Sequence, residues 1–245
     1  MDSSSYIVLS RVSAQQRVSH ITANNIANSD TPGYMAQRPV FAEFVARQGR
    51  VAGPAAGREV GYTWDRATWR DTAPGPQRVT SNPLDVAISG EGFFSVETPR
   101  GERYTRAGHF TVADNGQIVD HEGNALLSTN NTPIVIGAGD TNIQILSDGT
   151  VRSENGVLGR IRVVRFADQQ DMLPEGNRLL RTDQEPIAVE APGLVQGAVE
   201  GSNVQAIVEM TRMMTELREL QFATQFIEKD GERQQSVIDR LLRRR

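Results

Sequence analysis

The sequence predicts an α+β protein, with N- and C-terminal helices forming a coiled coil and with a central antiparallel β-domain, a sandwich or open barrel. Three observations predict it. Apolar residues recur at steps of four and three near both ends. Between those ends, short strand-like runs alternate with turn dipeptides such as Asn115-Gly116 and Asp148-Gly149. No run of apolar residues is long enough to span a membrane as a helix, which takes roughly 18 or more. The organisation expected is an N-terminal helix over residues 1–33, a Gly/Pro-rich connector over 34–81, the β-domain over 82–199 and a C-terminal helix over 200–245.

The opening helix is read over Ser3 to Asn28. Ile7, Arg11, Ala14, Val18, Ile21, Asn25 and Asn28 fall on one stripe, and the segment holds neither Pro nor Gly. It stops at Asn28-Ser29-Asp30-Thr31-Pro32-Gly33, because a residue before Pro disfavours the helical region and Gly permits a turn. The stripe ends in Asn24, Asn25 and Asn28. In a buried seam these would fix register at a cost in stability, and at a fraying end they would face water. No basic segment precedes an unbroken apolar core here, so an ordinary cleaved export signal is not expected.

The closing helix carries a longer repeat: Ala206, Met210, Met213, Leu217, Leu220, Thr224, Ile227, Gly231, Gln234, Ile238 and Leu241. A sustained 3.5-residue period implies a left-handed supercoil with a partner helix. Gly231 is the expected break, and Ser202 or Asn203 the expected N-cap. The seam methionines suit either a packed core or an adaptable groove. Neither terminal stripe can be buried alone, so the helices need each other or neighbouring subunits and are expected to order on assembly.

The middle begins with a Gly/Pro-rich stretch including Gly53-Pro54-Ala55-Ala56-Gly57 and Ala73-Pro74-Gly75-Pro76, with short strands around Tyr62–Trp64 and Thr68-Trp69. Trp64 and Trp69 either anchor this connector on a partner or pack on the β-domain. Strands are then expected at Leu84–Ile88, Gly92–Glu97, Phe110–Val112, Gln117–Val119, Ala125–Leu127, Ile134–Ile136, Ile143–Leu146 and Leu158–Phe166.

The chemistry of an enzyme is not visible. The chain has no Cys and three His, one of them in the first helix, so no catalytic, cofactor or metal site is expected. Asp114, Asp120 and Glu122 lie close enough in sequence to hold a cation, but turn formation accounts for them. The net charge of −4 argues against nucleic-acid binding. A secreted enzyme would need a cluster of titratable groups that the sequence lacks. A coiled-coil adaptor or scaffold would explain both helices.

Three ordered stretches carry a resemblance. Ala23-Asn24-Asn25-Ile26-Ala27-Asn28 with Thr31-Pro32-Gly33-Tyr34 is one. Asn82-Pro83-Leu84-Asp85-Val86-Ala87-Ile88 with Gly90-Glu91-Gly92-Phe93-Phe94, continued by Tyr104-Thr105-Arg106-Ala107-Gly108 and Gly116-Gln117-Ile118-Val119, is the second. Glu200-Gly201-Ser202-Asn203-Val204 with Glu209-Met210 is the third. Together they resemble the bacterial flagellar rod, hook and hook-associated proteins over nearly the whole chain. The single β-domain resembles the rod members. The segment from Asp65 to Thr72 resembles the proximal-rod type most, with the distal-rod type next. Gln205-Ala206, where the family often has Asn-Val, and the tail after Ile227 depart from the pattern.

The resemblance implies a structural subunit of the basal-body rod that polymerises helically into a hollow, torque-transmitting shaft crossing the periplasm. It implies self-association with other rod subunits, contact with other rod proteins and with the flagellar type III export apparatus, and no cofactor. The subunit-interface residues it implies are Ile7, Ala14, Val18, Ile21, Asn24, Asn25, Asn28, Met210, Met213, Leu217, Leu220 and Ile227.

Overall fold

The computed structural model describes residues 3–47, 59–176 and 178–242. The chain is α+β, with one helix near each end and antiparallel sheets between them. It divides into two compact units. One comprises residues 1–27, 37–70 and 205–245, and the other residues 28–36 and 71–204.

In the first unit, helix α1 spans Ser3–Ala27 and helix α2 spans Ala206–Leu242. α1 ends where the sequence predicts. The amide of Thr31 donates to the Asn28 carbonyl and that of Tyr34 to Thr31, so turns replace the helix on either side of Pro32. α2 begins at Ala206 and runs through Gly231 without interruption, so the expected break there is absent. One helical Gly costs about 1 kcal/mol against Ala, and the helix continues through it. Ser202 and Asn203 do not serve as the N-cap. The Ser202 hydroxyl accepts from the Val204 amide, and Asn203 is used elsewhere.

The Gly/Pro-rich region is more regular than its composition suggests. Strands β1 (Gln37–Arg47) and β2 (Glu59–Arg70) form one long antiparallel hairpin. The register shifts between Val40 and Phe41, leaving an extra residue on β2. An isolated two-stranded hairpin is marginal in water; this one packs on α1. The Gly53–Gly57 run lies outside the described residues.

The second unit is all antiparallel. Its central strands, Phe93–Thr98 and Gly101–Thr105, form a hairpin that further strands extend in both directions. Short strands appear within or beside most of the expected runs, while Ile134–Ile136 contributes one isolated bridge, at Val135, in place of a strand. Gly101–Thr105 and Thr150–Ser153 are strands that the sequence pattern does not announce. One core gathers Val86, Phe94, Val96, Phe110, Ile118, Leu126, Ile134, Val151, Ile161 and Val163, all buried. Phe94 and Phe110 meet edge to face at 5.3 Å. A smaller cluster holds Phe93, Tyr104, Val164, Phe166, Met172 and Leu180. Burial raises the Tyr104 phenol to about 12, with the Glu102 carboxylate adding to the effect.

Candidate assembly surface

α1 turns Ala14, Ile21, Thr22 and Asn25 inward, with Val18 half-buried. This is the predicted stripe, and it packs on α2. Asn25 is fully buried, at 0 % exposure. Its side-chain oxygen accepts from the Gln37 amide at 2.9 Å and its Nδ2 donates to the Gln37 carbonyl at 2.9 Å. It therefore mimics a strand neighbour where β1 begins, and also reaches Glu209 at 3.4 Å. Asn25 belongs to the buried structure, whereas Asn24 is exposed and Asn28 half-buried at the turn. The side chain of Ile7 lies outside the described residues.

The face that α2 turns inward takes Ala206, Met213 and Leu220 from the predicted repeat but completes it with residues outside that repeat. Ala206, Glu209, Met213, Glu216, Leu220 and Ala223 form the covered row, at steps of three and four. Two of the six are glutamates, with Glu209 at 1 % and Glu216 at 6 % exposure. Glu209 is well paired: Arg38 donates at 2.6 Å, Arg212 at 3.3 Å and Asn25 at 3.4 Å. Glu216 is not. Thr22 donates to its Oε1 at 3.0 Å, while Oε2 is buried without a hydrogen-bond partner among the described residues. Burial raises the Glu216 pKa, the carboxylates of Glu209 and Glu219 add to this, and the Thr22 bond opposes it.

Of the predicted interface positions on α2, Met213 and Leu220 sit in the covered row. Met210, Leu217 and Ile227 are exposed. Met210 and Leu217 join Ile207 and Met214 in a second row beside the first, with Ile207 at 81 % and Met214 at 58 % exposure. Phe222 and Phe226 form a further exposed pair one turn apart. Fully burying a side chain of this size is worth about 1.5–3 kcal/mol, so this helix carries a large unrealised apolar contribution.

The sequence motifs of the second unit converge on one charged node. Arg106 and Glu200 are both buried and paired at 2.7 Å. Arg106 also donates to the carbonyls of Gly92 and, at 2.7 Å, Gly90. The other oxygen of Glu200 accepts from the Gly75 amide at 3.0 Å, and its carbonyl accepts from Gly33 at 2.9 Å. Five separated stretches thus meet at one ion pair whose donors and acceptors are satisfied. Close packing explains the glycines. A Cβ on Gly108 would lie 1.7 Å from the Val86 carbonyl oxygen. On Gly33, whose φ is +71°, it would lie 2.4 Å from the Ala107 amide. Asn203 adds a second tie. It accepts from the Ala36 amide at 2.7 Å and donates to the carbonyls of Asp71 and Ala73, each at 2.9 Å.

Of the carboxylates considered for a cation, Asp120 is spent on a turn. Asp120 accepts from the amides of Glu122 and Asn124 and from the Asn124 side chain. Among the described residues no group of three His, Asp or Glu is placed to hold a metal ion, and no helix is long and apolar enough to cross a membrane.

A chain that brings its two ends together as helices, and leaves an apolar row outside that pair, has the construction of an assembly subunit. Comparison with known proteins agrees. Residues 6–34 match the family described as "Flagella basal body rod protein". Residues 87–153 match "Flagellar hook protein FlgE/F/G D1 domain", and residues 195–240 match "Flagellar basal body rod FlgEFG protein C-terminal". The chain is 31 % identical over 243 residues to the flagellar basal-body rod protein FlgF of Caulobacter vibrioides, covering 98 % of each. It is 30 % identical over 217 residues to FlgF of Mesorhizobium japonicum, covering 87 % of each. Against FlgG of Caulobacter vibrioides it is 31 % identical over 233 residues, covering 85 % of this chain and 88 % of the relative. The chain belongs to the flagellar basal-body rod protein family and is a structural rod subunit of the flagellum.

Proposed function

We propose that this chain is a proximal-rod subunit of the FlgF type. The alignment to the Caulobacter FlgF runs the length of both chains, while that to FlgG covers less of each. In this reading many subunits stack helically into a hollow shaft that transmits torque and conducts exported flagellar proteins. The subunit itself leaves the cytoplasm through the flagellar export apparatus, and its terminal helices form a coiled coil in the assembled wall.

The observation that carries the reading is the exposed row Ile207, Met210, Met214 and Leu217 beside the in-chain helix contact. Such a row is unfavourable in water and favourable in a wall of packed helices. Contacts of unlike surfaces that do not close on themselves build a helical filament and not a dimer. The predicted interface residues fall into two roles here. Ala14, Val18, Ile21, Asn25, Met213 and Leu220 hold the helix pair, and Met210, Leu217 and Ile227 face neighbours.

Electron microscopy of basal bodies from a strain lacking this gene tests the reading. Loss of the rod and hook beyond the inner-membrane ring, restored by the gene in trans, is expected. Intact basal bodies in swimming cells would refute it.

A further inference from the structure

We propose that a cleft in the β-rich unit binds a small organic anion, whose carboxylate or phosphate oxygens sit between Arg178 and the imidazoles of His109 and His121. The cleft has a volume of about 610 Å³ and is completed by Asp30, Thr31 and Pro32. All six residues belong to the β-rich unit, so the site is independent of the helix pair. Arg178 sits between the strands Leu173–Pro174 and Leu180–Arg181. It is half-buried and makes no hydrogen bond or ion pair among the described residues. A guanidinium offers five donors and no acceptor, so an oxyanion is the group that completes it. Its φ of +64° lies in the left-handed region that non-Gly residues rarely adopt, so the backbone is strained where it carries this side chain.

His109 is oriented from behind. Its Nδ1 lies 2.6 Å from Oδ1 of Asp85, a carboxylate at 2 % exposure that also accepts from the Asn82 side chain at 2.9 Å. Asp85 acts as the acceptor, so Nδ1 carries the proton and Nε2 is the nitrogen left for a ligand. With Nδ1–H fixed, Nε2 donates only in the imidazolium form, so an oxyanion bound there takes up a proton with it. His121 is exposed and has no partner among the described residues. The carboxylates around these groups are engaged elsewhere. Asp85 holds His109, Asp30 accepts from Arg78 at 3.2 Å, and Asp120 accepts from the amides of its own turn. Glu122 lines a neighbouring depression with Arg100 and Arg103. The charge left facing the cleft favours an anion, and the Pro32 ring offers an apolar wall to its organic part.

The test is NMR of the full chain labelled with carbon-13 at its three histidines. Succinate and glycerol 3-phosphate are titrated separately, at about pH 5.5 and about pH 8, against sodium chloride of equal ionic strength. The expected result is a saturable displacement of the His109 and His121 ring signals by at least one of the two anions, with His20, on α1, unmoved. Saturation by succinate assigns a carboxylate, and saturation by glycerol 3-phosphate a phosphate. Binding is expected to be about tenfold tighter at the lower pH, because the imidazolium forms donate to the anion. Arg178→Gln and His121→Gln are each expected to weaken it about tenfold while leaving the melting curve unchanged. No saturable displacement by either anion, an equal movement of His20, an affinity that does not rise at the lower pH, or native affinity in both variants would overturn the proposal. The rod-subunit reading is tested separately, by the basal bodies of the strain lacking the gene.

Discussion

Glu216 and Arg106 show what a buried charge does when its partners differ. Glu216 is held by one hydroxyl and faces the carboxylates of Glu209 and Glu219, with Gln15 donating to its backbone carbonyl and Asn25 beside Glu209. Its folded pKa is raised above the ordinary 4.5, so the folded helix pair binds this proton more tightly than the unfolded chain does. The penalty for burying the charge is therefore absent below the unfolded value, grows as pH rises through the folded value, and is complete above it. Glu216→Gln is expected to raise the midpoint of helix melting at pH 7–8 by several degrees and to leave it unchanged near pH 4, as followed by circular dichroism. A gain that persists equally at low pH would contradict the account. Arg106 sits at the opposite extreme, with its charge and its donors matched by Glu200 and two glycine carbonyls. Arg106→Ala strands the Glu200 carboxylate and is expected to cost about 3–5 kcal/mol, read from urea unfolding of the β-rich unit.

At the scale of elements, α1 was legible and the glutamate half of the inner face of α2 was not, for one physical reason. Ala14, Val18 and Ile21 are the kind of residue that faces a core, so counting apolar steps finds their face. Glu209 and Glu216 are of a kind almost never buried unless paired, so the same counting turns α2 toward Met210 and Leu217. Only the Thr22, Asn25 and Arg38 partners, distant in sequence, make the glutamate face an inside face. The β1–β2 hairpin was illegible for a different reason. The Gly/Pro-rich residues between its strands read as a connector, and the hairpin is stabilised by packing on α1 rather than by a pattern of its own. In the β-rich unit the Asn-Gly and Asp-Gly turns marked the strand boundaries, because their positive φ is a local requirement, met at Gly116 and Gly149. Gly231 yields an element-scale prediction. It lies inside α2, and among the described residues no atom outside its own helical turn comes within 4 Å of the place a Cβ would take. Gly231→Ala is therefore expected to stabilise the helix by about 1 kcal/mol. Slower hydrogen exchange of α2 amides around position 231 checks it.

For the whole molecule, the two units divide the work. The β-rich unit gathers the sequence motifs around Arg106 and Glu200, which makes them a folding requirement of that unit. The helical unit keeps an apolar row that folding alone leaves unsatisfied. Leu217→Asp separates these roles. Leu217 is exposed, so the purified subunit should melt normally, yet cells carrying the variant should lose motility, with the protein absent from isolated basal bodies. The central claim is that the paired terminal helices are the polymerising part of a rod subunit. A cryo-electron microscopy reconstruction of isolated rods tests it most directly. The account predicts α1 and α2 of this chain in the rod wall, with Ile207, Met210, Met214 and Leu217 buried against a neighbouring subunit. Helices that lie outside the wall, or an outer row that still faces solvent in the assembled rod, would contradict it.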